Sequence, residues 1–146
     1  AKGGETYARL RVQLAALLSW QGAWGIANGV EWFCREKIDV HGRNDLAWGS
    51  ERNMVALISR LNFILSSHPS FTGQSHLELV TRGDGNTLAV SRGDLLVLAN
   101  LDCASGSLVD WDRSVAPAGE AFDLLSERKT DASRPVSPNS ICPPGR

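Results

Sequence analysis

No apolar run in this chain approaches the length of about 20 residues that spans a bilayer. The first residues, Ala1-Lys2-Gly3-Gly4-Glu5, hold no apolar stretch of the kind a secretory signal carries. Cysteine is scarce: there are three, Cys34, Cys103 and Cys142, far apart, with no Cys-x-x-Cys and no Cys/His pair at zinc spacing. That spacing argues against a structural metal site. An odd number of thiols fits a reducing cytoplasm better than a disulfide scaffold, and the expectation is free, inert cysteines. Charge of one sign is also lacking. Fifteen Lys+Arg stand against 16 Asp+Glu, a net charge of -1, which argues against nucleic-acid or polybasic membrane binding. The chain does not begin with Met, so the expectation is a processed chain or a piece of a longer one.

What is present suits a packed core. Of 146 residues, 42% are hydrophobic and 21% charged, enough apolar surface for one domain or parts of two. Tyr7, Leu10, Leu14 and Leu17-Leu18 recur at helical steps and predict a first helix, ending before Ser19-Trp20-Gln21-Gly22. The run Ala23-Trp24-Gly25-Ile26-Ala27-Asn28-Gly29-Val30-Glu31-Trp32 is short, apolar and glycine-studded. It reads as a buried strand leading into a loop. Residues 34–49 have no clear period and read as a long irregular loop. Ser50 is the expected N-cap of a second helix, with Glu51 at its positive end. Met54, Leu57-Ile58, Leu61 and Ile64-Leu65 make its apolar stripe. Pro69 stops the ladder.

Beyond Pro69 the period becomes two. Leu77-Glu78-Leu79-Val80 and Thr87-Leu88-Ala89-Val90-Ser91 read as strands around the turn Arg82-Gly83-Asp84-Gly85-Asn86. Gly93-Asp94 marks the next turn. Leu95-Leu96-Val97-Leu98-Ala99-Asn100-Leu101 is continuously apolar and reads as a central strand covered on both faces. Weaker strands are expected at 107–111 and 121–125. Residues 129–146 hold four of the six prolines and read as an irregular tail. The expected class is therefore α/β followed by all-β. A lone α/β unit does not bury both faces of its strand. The first 65 or so residues therefore read as the end of a larger α/β sheet or barrel, leading into a small β domain.

That order, with particular residues, resembles the C-terminal end of the α-amylase superfamily, glycoside hydrolase family 13. The stretch Leu14-Ala15-Ala16-Leu17-Leu18-Ser19, followed by Gly25-Ile26-Ala27-Asn28-Gly29-Val30-Glu31, is similar to the family's last helix-to-strand passage. Ile58-Ser59-Arg60-Leu61-Asn62-Phe63-Ile64 before His68-Pro69-Ser70-Phe71 is similar to its last barrel helix. Gly85-Asn86-Thr87-Leu88-Ala89-Val90 and Asp94-Leu95-Leu96-Val97-Leu98-Ala99-Asn100-Leu101 resemble the first hairpin of its domain C. Gly119-Glu120 near Phe122-Asp123-Leu124-Leu125 also recurs there. The resemblance covers residues 7–125. Trp24-Gly25-Ile26 with Gly29-Val30-Glu31 is closest to maltosyltransferases that use maltose 1-phosphate, whereas Ile38-Asp39-Val40 is closer to α-amylase-like members.

The resemblance implies the last strand and helices of a (β/α)8 barrel over 1–69, an antiparallel β-sandwich (domain C) over 70–128, and a tail over 129–146. It implies a retaining hydrolase or transferase acting on an α-1,4-glucan or maltosyl donor, without a cofactor, in the cytoplasm. The family's three catalytic carboxylates lie on earlier strands, and their motifs are not in this sequence. The expectation is a fragment that is inactive alone, its natural partner being the missing N-terminal barrel portion.

No residue is singled out as catalytic. Retaining chemistry needs two carboxyl groups about 5–5.5 Å apart, and the carboxylates available are Glu31, Glu36, Asp39 and Asp45. Glu31 would sit at the C-terminal face of a barrel strand, where active sites form. Its plainer role is to order its own loop. Glu36 and Asp39 flank Lys37 as a solvated surface. Trp24, Trp32 and Trp48 offer aromatic faces for sugar stacking, or they plug the space between barrel and β domain. His41, near Asp39 and Asp45, is a sugar ligand or a loop brace. The candidate substrate-binding residues are thus Asn28, Glu31, Trp32, Trp24 and His41. The rival expectation is a stand-alone carbohydrate-binding or structural β module. A metal or redox protein is disfavoured by the cysteine spacing.

Overall fold

The computed structural model describes residues 4–35, 41–42, 48–83, 85–102, 107, 109–115 and 120–131. Its first helix, α1, spans Gly4–Leu17. The face it buries carries Leu10, Val12, Gln13 and Ala16, while Tyr7 stays exposed. Of the predicted stripe, Leu10 is buried and Leu17 packs against the core, so the stripe predicts the helix and part of its packed face. The close approach to the second helix is made through the smaller Val12 and Ala16, which join the core with Met54, Leu61, Ile64, Leu65 and Phe71.

The second helix, α2, spans Val55–Ser67. Its apolar stripe is as the period predicts: Leu61, Ile64 and Leu65 are buried and Leu57 and Ile58 pack against them. Its start is not at Ser50. The Asn53 side chain accepts from the Val55 N–H at 3.1 Å and donates to the Ser50 carbonyl at 2.8 Å. That local loop of bonds competes with helix over 50–53, and Met54 becomes the residue before the first turn. Pro69 does end α2, but it also opens α3, Pro69–Thr72. Proline lacks only an N–H that a first-turn residue leaves unpaired. His68 caps the new turn, its ring nitrogen accepting from the Ser70 N–H.

Residues 23–32 form no strand. A 3-10 turn at Trp20–Gly22 and another at Val30–Trp32 bracket an exposed, extended passage. Strand geometry needs a neighbouring strand to take its backbone groups. Trp24, Gly25 and Ile26 have no backbone hydrogen bond among the described residues. Of the long loop over 34–49, residues 36–40 and 43–47 lie outside the described residues, and with them Glu36, Lys37, Asp39 and Asp45.

The second half is an antiparallel meander of β1 (Leu77–Leu79), β2 (Thr87–Arg92) and β3 (Leu95–Asn100), in that spatial order. The central strand is β2, and β3, read from its apolar run as central, stands at the edge of this sheet among the described residues. Both of its faces are covered, as its continuous apolarity predicts. Ala89 and Leu98 share one face, which packs with Val80, Val109 and Trp111. Arg92 and Leu95 share the other, and Leu95 packs against the helical core. Among the described residues, the strand expected at 107–111 is reduced to one bridge, Thr81 to Trp111. A separate hairpin pairs β4 (Glu120–Asp123) with β5 (Arg128–Asp131). Its second strand occupies the start of the expected tail. The rest of that tail, residues 132–146, lies outside the described residues.

The described fold is thus a mixture of helices and antiparallel strands in two small sheets. Two arginines join its parts. Arg92, 1% exposed, reaches from β2 into the helical half and donates to the carbonyls of Leu17, Ser19 and Ser70. Arg60 reaches from α2 to the β4–β5 turn, donating to the Leu124 carbonyl at 2.7 Å and pairing with Glu127.

Candidate functional site

The passage from α1 to the rest of the chain turns sharply at Gln21 and Gly22. Both have positive φ, 50° and 75°. A Cβ on Gly22 would make ordinary contact with the Phe71 side chain and carbonyl at 3.5 Å, so the positive φ is what favours glycine there, which adopts it without a steric penalty. Gln21 carries a side chain in the same region, where an L-residue is disfavoured by about 1–2 kcal/mol.

This turn forms one wall of an open groove of about 740 Å³. The opposite wall comes from the C-terminal end of α2, with Asn62, Leu65 and Ser66, and from Phe71, Thr72, Gly73 and Gln74 at α3. Trp24 also lines it. Its ring packs against the core, and its Nε1 donates to Asn62 Oδ1 at 3.1 Å. The indole is therefore held at both ends. The Asn62 amide keeps its own N–H groups for another acceptor. Gln21 and Gln74 add two further amides, and the hydroxyls of Ser66 and Thr72 are already donated to the Phe63 and Pro69 carbonyls, which leaves their oxygens as acceptors.

No charged side chain lines the groove. It can bind a neutral polyol through an aromatic face and amide groups. It offers no acid, base or nucleophile. Among the described residues no group of three His, Cys, Asp or Glu is placed to hold a metal ion.

Of the five residues singled out from sequence, only Trp24 lines this groove. Glu31 is half-buried and braces its own loop: its Oε2 accepts from the Gly29 N–H at 2.9 Å, and its carbonyl accepts from the Met54 N–H at 2.7 Å. Gly29 has φ 97°, so the carboxylate fixes a turn only glycine makes readily. Trp32 meets the exposed Trp48 edge to face, with ring centroids 6.5 Å apart. Asn28 and His41 are exposed. Gln21, Asn62, Thr72 and Gln74 were not legible as site residues. The signals that point to them are an Asn on the exposed face of α2, beside its apolar stripe, and a Gln before a turn glycine.

The described helices include none long and apolar enough to cross a membrane. No family model, curated protein or solved structure matches this chain.

Proposed function

We propose that the chain is the C-terminal part of an α-glucan-active enzyme of the glycoside hydrolase family 13 type. In this reading residues 1–69 contribute the last strand and helices of a (β/α)8 barrel. Residues 70–128 contribute a domain C of β-sandwich type. The chain takes part in binding α-1,4-glucan or a maltosyl substrate, and the retaining chemistry belongs to carboxylates on strands that precede it.

The observation that carries the reading is the segment 23–27. It is apolar, connects α1 to α2 along the chain, and its backbone at Trp24, Gly25 and Ile26 has no partner among the described residues. A segment of that composition is suited to a strand with neighbours on both sides, which the last strand of a barrel would have. The abrupt change from α2 and α3 to an antiparallel meander supports the same reading. So does a groove without ionisable groups, which suits contact with a neutral glucan and no chemistry on it.

The coding DNA upstream of the Ala1 codon tests it. A frame that stays open for about 250 residues, roughly a barrel's length, and encodes an Asp, a Glu and a His-Asp at successive strand ends is the expected result. An unrelated domain there, or an initiation site directly before Ala1, would overturn it.

A further inference from the structure

The outer edge of β1 has chemistry that neither the groove nor the proposed function uses. We propose that it is a docking edge for an extended segment of another protein. That segment alternates apolar, basic and apolar residues, and it adds as a further strand beside Leu77, Glu78 and Leu79. The inference stands on the sheet alone and does not rest on the functional reading above.

The lane beside β1 is half filled. Next to Thr81 it holds Trp111: the Asp112 N–H donates to the Val80 carbonyl at 2.9 Å and the Arg82 N–H to the Asp110 carbonyl at 3.0 Å. At Asp112 the chain leaves the lane. The Asp112 carboxylate accepts from the Ser114 N–H and hydroxyl, and the Val115 N–H closes a turn on the Asp112 carbonyl. Beyond that turn β1 has only β2 beside it among the described residues. Leu79 stands opposite Val90, and the bond joining the strands there runs from the Val80 N–H to the Ala89 carbonyl, one residue on from each. The Leu79–Val90 pair is thus of the non-hydrogen-bonded kind. The backbone N–H and C=O of Leu79, and of Leu77 two residues earlier, therefore face the open side of the lane.

The side chains select the occupant. All three residues of β1 are exposed. Leu77 and Leu79 share one face of the sheet, and Leu79 is 70% exposed, an apolar side chain that an added strand with apolar residues would cover. Glu78 lies between them on the opposite face, and no cation is ion-paired with it among the described residues. A second copy of this chain, paired antiparallel about Glu78, would set two carboxylates opposite each other, which is destabilising. A Lys or Arg in that place makes the same residue attractive. The charge thus excludes the chain's own edge, as charges on natural sheet edges do, and favours a basic partner. In such strand addition the main chain supplies affinity and the alternating side chains supply specificity.

Fluorescence anisotropy tests the proposal. The probes are a labelled peptide Thr-Thr-Val-Lys-Val-Thr-Thr and its counterpart with Glu in place of Lys. Both are titrated with the 146-residue chain and with the product of the whole reading frame that contains it. Binding of the lysine peptide with a Kd below about 1 mM, and of the glutamate peptide at least about threefold more weakly, is expected. Glu78→Lys should reverse that preference. Leu79→Pro should abolish binding of both peptides. The Leu79 N–H faces away from β2, so proline there is tolerated as on other sheet edges and blocks only the open side. No binding at about 1 mM, or a preference unchanged by Glu78→Lys, overturns the proposal. So does self-association, measured by sedimentation, that Leu79→Pro removes, because the occupant is then a second copy. A whole-frame product that binds neither peptide also overturns it, because the lane is then filled within one chain.

Discussion

Arg92 Nε donates to the Ser70 carbonyl oxygen at 2.9 Å while the same guanidinium lies 4.4 Å from the centre of the Phe71 ring. The strand β2 is thereby fastened to the start of α3, and through the Leu17 and Ser19 carbonyls to the end of α1. One buried cation donates to three backbone carbonyls. Burial holds its pKa below the ordinary arginine value, and it remains charged at any pH at which proteins fold. Arg92→Met takes this donor from the Leu17 and Ser19 carbonyls and leaves the Ser70 carbonyl only its bond from the Ser75 hydroxyl, and it is expected to cost about 2–4 kcal/mol. Arg92→Lys keeps the charge but loses the planar fork and should recover only part of that. Urea denaturation midpoints check both.

The turn after β2 is held against the same α3 residue. Gly93 has φ 54°, and a Cβ there would stand 2.8 Å from Ser70 Oγ. Gly93→Ala therefore meets a strained backbone and a clash at once, and a loss of at least about 1–2 kcal/mol is expected. In a Ser70→Ala background the clash component should shrink, so the two substitutions should be less than additive. A thermal-denaturation double-mutant cycle reads this directly.

Much of this architecture is written in the sequence, and the parts that are not have physical causes. The 3.6 period of α2 and the period of two after Pro69 carry strong local signals, and both elements form. The start of α2 is misread because Asn53 forms a local loop of bonds that competes with Ser50 as the cap. The apolar run of β3 suggests a central strand because periodicity reports covered faces and not the number of neighbours. Arg92 and Arg60 are invisible as joints: each bonds to backbone carbonyls distant in sequence, and carbonyls have no letter code. Of the site, Trp24 is legible as an aromatic candidate. Gln21 and Gln74 are not, because an amide reads the same on any surface.

Asp112 is held down as an acid. The Ser114 hydroxyl and backbone N–H, then Arg82, hydrogen-bond its carboxylate and lower its pKa from 3.8 to about 2. A carboxyl depressed in the folded state stabilises the fold above its unfolded pKa and loses that contribution as pH falls through the folded one. Asp112→Asn should therefore be less stable than wild type at neutral pH. The gap should close between about pH 4 and pH 2. Denaturation midpoints across that range check the sign. A gap that persists at pH 2 would contradict it.

Gln21 lines the groove in a strained backbone conformation. Its φ of 50° favours glycine, so Gln21→Gly relieves strain while giving the unfolded chain more freedom. The net expectation is a stability change between zero and a gain of about 1 kcal/mol. A fall of more than about 1 kcal/mol would mean that the Gln21 side chain supports the fold. Differential scanning calorimetry distinguishes these outcomes.

The most direct test of the central claim is an activity comparison. The 146-residue chain and the product of the whole reading frame that contains it would be assayed side by side. The readouts are α-1,4-glucan hydrolysis and maltosyl transfer. No turnover by the 146-residue chain and clear turnover by the longer product are expected, because the carboxylate pair that retaining chemistry needs is assigned to preceding strands. Turnover by the 146-residue chain alone, or none by the longer product, would contradict the claim.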